Sequence, residues 1–278
     1  MSETNSQTPS SVAETMLATL YIRAMESQRS DAIVKDEKAV ALVREMRYDL
    51  DRIRQLPLSK VNKVTLVLRT REIDRYARDF LARRPAAVVI HIGCGLDSRF
   101  ERVDNGQVEW YDLGLPDVIA LRRKFIGDEG ERYHLLGGSV LDNTWLGTVS
   151  AHRARPFLFL AEGVFMYFEK AQVKSLVLTL RDHFPGAELV FDAFSPLHIW
   201  INRLQMSIAN LEFGALFHWG LWRGQEIEGW GAGIRLLDDW GYLDRPEPRL
   251  AHVRWMRHIP LAARAGRIYH FRLGKAEG

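Results

Sequence analysis

Three helical periods open the chain. Leu17, Leu20, Tyr21 and Ala24 recur at intervals of three and four and so share one face of a helix. Ala39, Leu42, Val43 and Met46 repeat that spacing. Ile73, Tyr76, Ala77, Phe80 and Leu81 repeat it again and stop short of Pro85, where a helix is expected to end. Ahead of them residues 1–11 are polar, rich in Ser and Thr, and read as a disordered end. The period changes at Ala86. From there to Ile92 the chain is continuously apolar apart from His91, β-branched, and bounded by Pro85 and Gly93, which predicts a strand buried on both faces. Comparable runs lie at Val108 to Asp112, Tyr133 to Leu136, Phe157 to Ala161 and Glu188 to Asp192. A helical stripe (Val173, Leu176, Val177, Leu180, Phe184) stands before the last of these. Strands alternating with helices predict right-handed crossovers and an α/β doubly wound, Rossmann-like sheet.

Residues 194–240 break this rhythm and carry Trp200, Phe213, Phe217, Trp219, Trp222 and Trp230. Two readings are open: a helical, aromatic cap inserted over the carboxyl ends of the strands, or a second core layer that never meets a ligand. The expectation is the cap. Residues 241–278 return to the sheet with a final strand at Arg267 to Leu273. The whole of 12–278 then forms one domain: helices over 12–84, a core over 86–193, the insert, and the closing strand.

Composition narrows the function. With 47% hydrophobic and 26% charged residues, the chain can bury a full core. The net charge is only +3, and the arginine groups at Arg69 and Arg71, Arg83 and Arg84, and Arg122 to Lys124 are short. They read as solvated helix faces, so nucleic acid is not an expected partner. The single cysteine, Cys94, excludes an intrachain disulfide and a Cys/His zinc cluster, and no metal is expected. In the turn it occupies, Cys94 reads as a small residue that fits rather than a reactive thiol. No apolar run approaches the ~18 residues of a membrane span, nor is there a signal peptide, so a soluble cytoplasmic protein is expected.

The most informative stretch is Val88 to Phe100, where a buried strand runs into Gly93-Cys94-Gly95 and then into a helix. Glycines there permit a tight turn and close approach of a ligand to the backbone, and ligands of such sheets lie beyond the carboxyl ends of the strands. The next strand ends at Asp112, 19 residues after Gly93. An acid at that position accepts from ribose hydroxyls; alternatively it caps a helix. Ser98 replaces the third glycine of the dinucleotide pattern, which disfavours a nicotinamide oxidoreductase.

Several longer stretches then resemble one family. They are Tyr21 to Ala24, Glu26 to Arg29, Leu68 to Asp74, Gly93 to Arg99, Tyr111 to Val118, Ser139 to Trp145 and Ala161 to Tyr167. Together they resemble the leucine carboxyl methyltransferases, in the branch of bacterial and fungal enzymes similar to the tetracenomycin polyketide O-methyltransferase. Two positions depart from its pattern: Ser98 stands where Thr is common, and Gly114 where an acidic or polar residue is usual. The resemblance implies S-adenosylmethionine as cofactor, with S-adenosylhomocysteine as product, and a small-molecule acceptor. It implies that Gly93 and Gly95 pass beside the methionine part, with Cys94, Asp97, Leu113 and Gly163 in the same cofactor-binding set. By the same resemblance Asp112 holds the ribose, Ser139 and Val140 meet adenine with Asp142 at the same edge, Glu162 faces the amino-acid part, and Arg69 pairs with the carboxylate. Rival readings stay open: Arg69 as a surface charge, Glu162 as a helix cap, Tyr167 as packing.

An activated methyl donor leaves the protein the task of aligning the acceptor and excluding water. A carboxylate acceptor is ionised near neutral pH and needs cations for orientation, for which Arg23 and Arg71 are candidates, with Tyr167 beside them. A phenol or alcohol benefits from a base, with His198, His218 and Asp192 as candidates. The reading favoured is O-methylation of a carboxylate on an apolar, polyketide-like acceptor of secondary metabolism, giving a methyl ester. The alternatives are hydroxyl methylation and a non-catalytic protein that binds S-adenosylmethionine.

Overall fold

A computed structural model describes residues 11–46, 58–127, 129–208 and 217–274. Among the described residues the chain opens with α1 (Ser11–Ser27), α2 (Glu37–Glu45) and α3 (Lys60–Arg83). The disordered end expected over 1–11 lies outside the described residues except for Ser11, which begins α1. Asp36 caps α2 by accepting from the Ala39 N–H at 2.9 Å, and Ser59 caps α3 through Asn62 at 3.0 Å.

The core then alternates as β1 (Val88–Ile92), α4 (Arg99–Val103), β2 (Glu109–Gly114), α5 (Pro116–Phe125), β3 (Tyr133–Gly137), α6 (Thr144–Val149), β4 (Phe157–Ala161), α7 (Lys170–His183) and β5 (Ala187–Phe194). After β5 come α8 (Pro196–Ile208), the short α9 (Gln225–Glu228), β6 (Arg235–Gly241) and β7 (Gly266–Leu273). The seven strands lie in the order β3-β2-β1-β4-β5-β7-β6. β1 to β5 are parallel, while β7 runs antiparallel between β5 and β6. Every residue of β1 and of β4 is buried, as an unbroken apolar run requires when helices cover both faces. One face packs under α6 and α7, and the other under α3 and α4. Among the described residues no helix is long and apolar enough to cross a membrane.

Strand order reverses at β1. The chain fills one side with β2 and β3, then returns to place β4 against the other side of β1. The carboxyl ends of β1 and β4 therefore border a crevice, the place where open sheets of this kind hold ligands.

Two features differ from expectation. A seventh strand, β6, lies within the range assigned to the aromatic insert. It is an edge strand whose ladder slips between Leu236 and Asp238, so its sequence shows no clean alternation. Trp219 is not part of a cap: it is 5% exposed and packs on Phe191 and Trp230 at ring distances of 6.2 and 6.0 Å. It fills the core layer on one sheet face, because residues 218–221 are tied to the strand ends, the Leu221 N–H bonding the Phe194 carbonyl at 2.9 Å. Trp222 and Trp230 are half-buried, and Trp200 is 60% exposed on α8. Phe213 lies outside the described residues.

Candidate active site

The turn leaving β1 is held open by glycine. Gly93 and Gly95 adopt φ of +64° and +49°, where a side chain is strained, and a Cβ on Gly93 would lie 2.5 Å from Val164. The Gly93 and Cys94 N–H groups both bond the Leu113 carbonyl of β2, at 2.8 and 3.2 Å. The four following carbonyls are gripped by two buried arginines. Arg23 of α1 donates to Leu96 at 2.8 Å. Arg122 of α5 donates to Gly95 at 2.7 Å, Asp97 at 2.9 Å and, more distantly, Cys94 at 3.4 Å.

Across the crevice, Glu162 follows β4. One of its carboxylate oxygens accepts from Arg69 at 3.0 Å and from Thr70 at 2.9 Å, and the other accepts from Arg99. Arg69 continues to Asp192 of β5 at 3.0 Å, and the other Asp192 oxygen takes the Gly163 N–H at 2.6 Å. Arg99 also holds Asp74 and Asp97, and Arg102 links Asp36, Asp74 and Asp97 at 2.7–2.9 Å. Each of these charges is expensive to bury alone; arginines cannot shed their proton, so the network closes by pairing. Burial opposes ionisation of Glu162, but Arg99 and Arg69 outweigh it and hold its carboxyl at about 2. Asp97, also buried, is likewise held well below the usual carboxylate range by Arg99 and Arg102. At Asp192 burial prevails over Arg69 and pushes the carboxyl up.

The residues named from sequence fall into distinct settings. Arg69, Glu162, Gly163 and Asp97 belong to one network of ion pairs and hydrogen bonds with Asp192 and Arg99, while Gly93 and Gly95 shape the turn after β1. Arg69 is 6% exposed, so it is not a surface charge, and Glu162 faces side-chain donors rather than a helix end. Leu113 supports the turn through its carbonyl while its side chain sits in the core. Cys94 is buried, and burial pushes its thiol up, as suits a residue that merely fits the turn. Ser139 and Val140 follow β3; the Ser139 hydroxyl accepts from Leu141 N–H at 3.2 Å, the Val140 carbonyl takes the Trp145 indole, and Asp142 is exposed.

Three expectations need correction. Asp112 is 1% exposed, and its two oxygens already receive Trp110 at 2.9 Å, His91 at 3.0 Å, Tyr133 at 2.6 Å and Arg122. It lies two residues below the tip of β2, where Gly114 offers no side chain, so it has no free acceptor to turn toward a ribose. Arg122 supplies one of those donors and is itself 1% exposed, not a solvated helix charge. Arg23 is 5% exposed and committed to Asp36 at 3.0 Å as well as to Leu96, so it is not available to orient an acceptor.

The remaining candidates keep their openings. Arg71 is half-buried and has no hydrogen-bond or ion-pair partner among the described residues. Tyr167 is half-buried, bonds Thr15 and meets Phe217 edge-on at 5.5 Å. Phe217 stacks on Phe194 at 5.4 Å, and Phe194 on His198 at 4.7 Å, giving a ladder of rings beyond β4 and β5. His218 is exposed and pairs with Glu169 at 3.0 Å. A narrow cleft between α1 and α3, lined by Thr19, Arg23, Arg69, Thr70 and Glu162 among others, leads to the end of β4.

Sequence reading passed over Asp36, Asp74, Thr70, Arg102 and Arg122 as members of this site. The last had a signal: Arg122 is three residues after Ile119, on the buried face of α5. Asp74 likewise follows the buried Ile73.

Known proteins share this architecture and sequence. The model of a family described as leucine carboxyl methyltransferase matches residues 16–181. The tetracenomycin polyketide synthesis O-methyltransferase TcmP of Streptomyces glaucescens is 36% identical over 94% of this chain and 96% of its own. The S-adenosyl-L-methionine-dependent methyltransferase dpfgK of Gibberella zeae is 28% identical over 87% of this chain and 86% of its own. Among solved structures, a DUF574 family protein of Streptomyces avermitilis superposes with a TM-score of 0.58 at 14% identity, over 94% of this chain and 97% of that one, which is a likeness of fold.

Proposed function

Because this chain belongs to the leucine carboxyl methyltransferase family and is an S-adenosylmethionine-dependent methyltransferase, we propose that it methylates an oxygen, the carboxylate of a small-molecule acceptor, and releases a methyl ester. The observation that carries the cofactor side is the crevice itself. The cofactor brings one carboxylate and two cationic centres, an ammonium and a sulfonium. The crevice presents Arg69 flanked by Glu162 and Asp192, with Asp97 on the neighbouring turn. In this reading the Arg69 Nη2, which neither Glu162 nor Asp192 takes and which lies beside Gly163, meets the carboxylate, Glu162 and Asp97 face the cationic end, Gly93 and Gly95 allow the backbone to come close, and Ser139, Val140 and Asp142 border the adenine. When bound, the cofactor supplies an electrophilic methyl.

The protein's own work is then positioning, worth roughly 7–11 kcal/mol when reacting atoms are aligned. A carboxylate acceptor needs no base, since it is ionised at neutral pH. It needs a cation that is not already spent. Arg71, half-buried and without a partner among the described residues, has that freedom, whereas Arg23 has lost it. Tyr167 and the rings of Phe217 and Phe194 would flank a flat apolar acceptor and keep water away from it. Support for oxygen as the acceptor atom comes from the relative named as an O-methyltransferase.

One observation favours a phenol instead. Burial lowers the pKa of His198, which keeps its imidazole neutral and able to take a proton. The two readings separate by the stability of the product. Labelled methyl donor is incubated with aromatic carboxylic acids and phenols, and the products are treated with mild alkali. Ester label is released as methanol, and that is the expected result. Label that resists alkali assigns the acceptor as a hydroxyl, and adenosylhomocysteine binding without any transfer across a broad panel would count against both.

A further inference from the structure

We propose that Arg122 is a positioning residue for the cofactor, a strut that fixes the glycine turn without touching the ligand; this rests on the cofactor reading above. Backbone bonds hold the turn after β1 through the amides of Gly93, Cys94 and Asp97, the last donating to the Cys94 carbonyl at 3.0 Å, and leave the Gly95 and Leu96 carbonyls to side chains. Two of its residues are glycines at positive φ. Arg23 of α1 holds one of its carbonyls, Leu96, at 2.8 Å, and the Arg122 guanidinium supplies the rest of the constraint. A single nitrogen of Arg122 serves the Gly95 and Asp97 carbonyls at 2.7 and 2.9 Å and reaches toward Cys94 at 3.4 Å. Its other terminal nitrogen holds Asp112 and the Tyr133 hydroxyl, the latter at 2.8 Å. The turn is thereby bolted to β2, β3 and α5 at once.

Two details show that shape, rather than charge alone, is what this residue provides. The Arg122 Nε is buried with no hydrogen-bond partner, so the side chain occupies this place even though one donor goes unused. The carbonyls and the carboxylate also lie on two different arms of the fork, which a compact ammonium cannot span. Asp112, in turn, is the counter-charge that lets the strut be buried, with His91 and Trp110 fixing its orientation. The Arg99 guanidinium donates to His91 Nε2 at 3.1 Å, so His91 must donate from Nδ1 to Asp112, and the carboxylate is aimed from both sides.

The test compares Arg122→Lys with the double variant Arg122→Met/Asp112→Asn, which removes both buried charges and so avoids stranding one of them. Adenosylhomocysteine binding is followed by calorimetry, turnover is measured against donor concentration, and hydrogen exchange is followed over residues 93–98 without ligand. Both variants are expected to unfold cooperatively, to bind adenosylhomocysteine at least tenfold more weakly, and to raise the donor KM while kcat at saturating donor stays within about threefold of the parent. The turn amides should exchange faster in both. Parent-like affinity in the double variant would show that Arg122 only neutralises Asp112 and would overturn the proposal. Unchanged exchange over 93–98 would overturn it whatever the ligand. Failure of the parent chain to bind adenosylhomocysteine while the exchange difference persists would instead sink the cofactor reading and leave a strut that serves the fold alone. A variant population that does not fold even with both charges removed would also count against a role in positioning.

Discussion

At the scale of single residues, the site is a set of acids whose ionisation is settled by their neighbours. Glu162 is held at about 2, below its ordinary value of 4.5, because Arg99 and Arg69 outweigh burial. A carboxyl depressed in the folded chain stabilises it above the unfolded value, and this stability is lost as pH falls from about 4.5 toward 2. Glu188, which accepts from His270 and Arg83, is held at about 2 and acts in the same window. Melting temperature should therefore drop steeply between those limits, and Glu162→Gln, less stable at pH 7, should show a shallower drop. Asp192 has the opposite sign. Burial raises its pKa, so the folded chain binds that proton more tightly than the unfolded chain, and stability is given up as pH rises through the folded value. Asp192→Asn should then cost less stability at pH 7 than Glu162→Gln; thermal melts of the two variants side by side check the order. A larger loss for Asp192→Asn would mean that its bonds to Arg69 and Gly163 matter more than its charge.

At the scale of elements, the turn after β1 and the chain after α8 make contrasting predictions. Gly93 has positive φ and no room for a side chain beside Val164. Gly93→Ala adds roughly 1–2 kcal/mol of backbone strain besides the clash, and cofactor affinity should fall tenfold or more in calorimetry. Trp219 makes no contact with the glycines of the turn and packs in the core between Phe191 and Trp230. Trp219→Ala should cost about 3–5 kcal/mol of stability in denaturant titration, with cofactor affinity of the folded fraction unchanged. A selective loss of acceptor affinity without loss of stability would restore Trp219 to the cap. At the edge of the sheet, the Tyr76 hydroxyl donates to Asp238 of β6 at 2.7 Å. One such bond contributes about 0.5–1.5 kcal/mol, so Tyr76→Phe should lower the melting temperature only slightly.

At the scale of the whole molecule, the ionic network ties the N-terminal helices to the sheet. Arg23, Arg69, Arg99 and Arg102, with Arg78 reaching Asp74 from the rim, face Asp36, Asp74, Asp97, Glu162 and Asp192. These pairs join α1 and α3 to the strand ends, where the cofactor is proposed to bind. A ligand bridging these elements should stabilise the entire fold. At a hundred times its Kd it adds about 2.7 kcal/mol, or roughly 5–8 °C in melting temperature for a chain of this size. Adenosylhomocysteine should produce that shift in a thermal scan and NAD should not; equal shifts would mean that the crevice does not select its nucleotide.

The sequence by itself determined what depends on neighbours close along the chain. Helical periods of Leu17 to Ala24 and Ile73 to Leu81, unbroken apolar strands such as β1 and β4, and the glycine turn between β1 and α4 are all short-range patterns, and each is where its pattern puts it. Glu162 was legible because it directly follows a buried strand, whereas Arg69, in the middle of α3, was reached only through the family resemblance. Only the tertiary structure decided which charges are spent and which are free. Arg23 meets a carbonyl 73 residues away and Arg69 an aspartate 123 residues away, distances over which a linear pattern carries no information. Asp112 looked like a ligand acid until four donors from β1, β2, β3 and α5 closed around it. Trp219 looked like a lid until residues 218–221 were tied to the strand ends. In each case the residue type fixed what the side chain is able to do, and long-range packing fixed what is left for it to do, because desolvation and pairing are properties of the enclosure rather than of the residue.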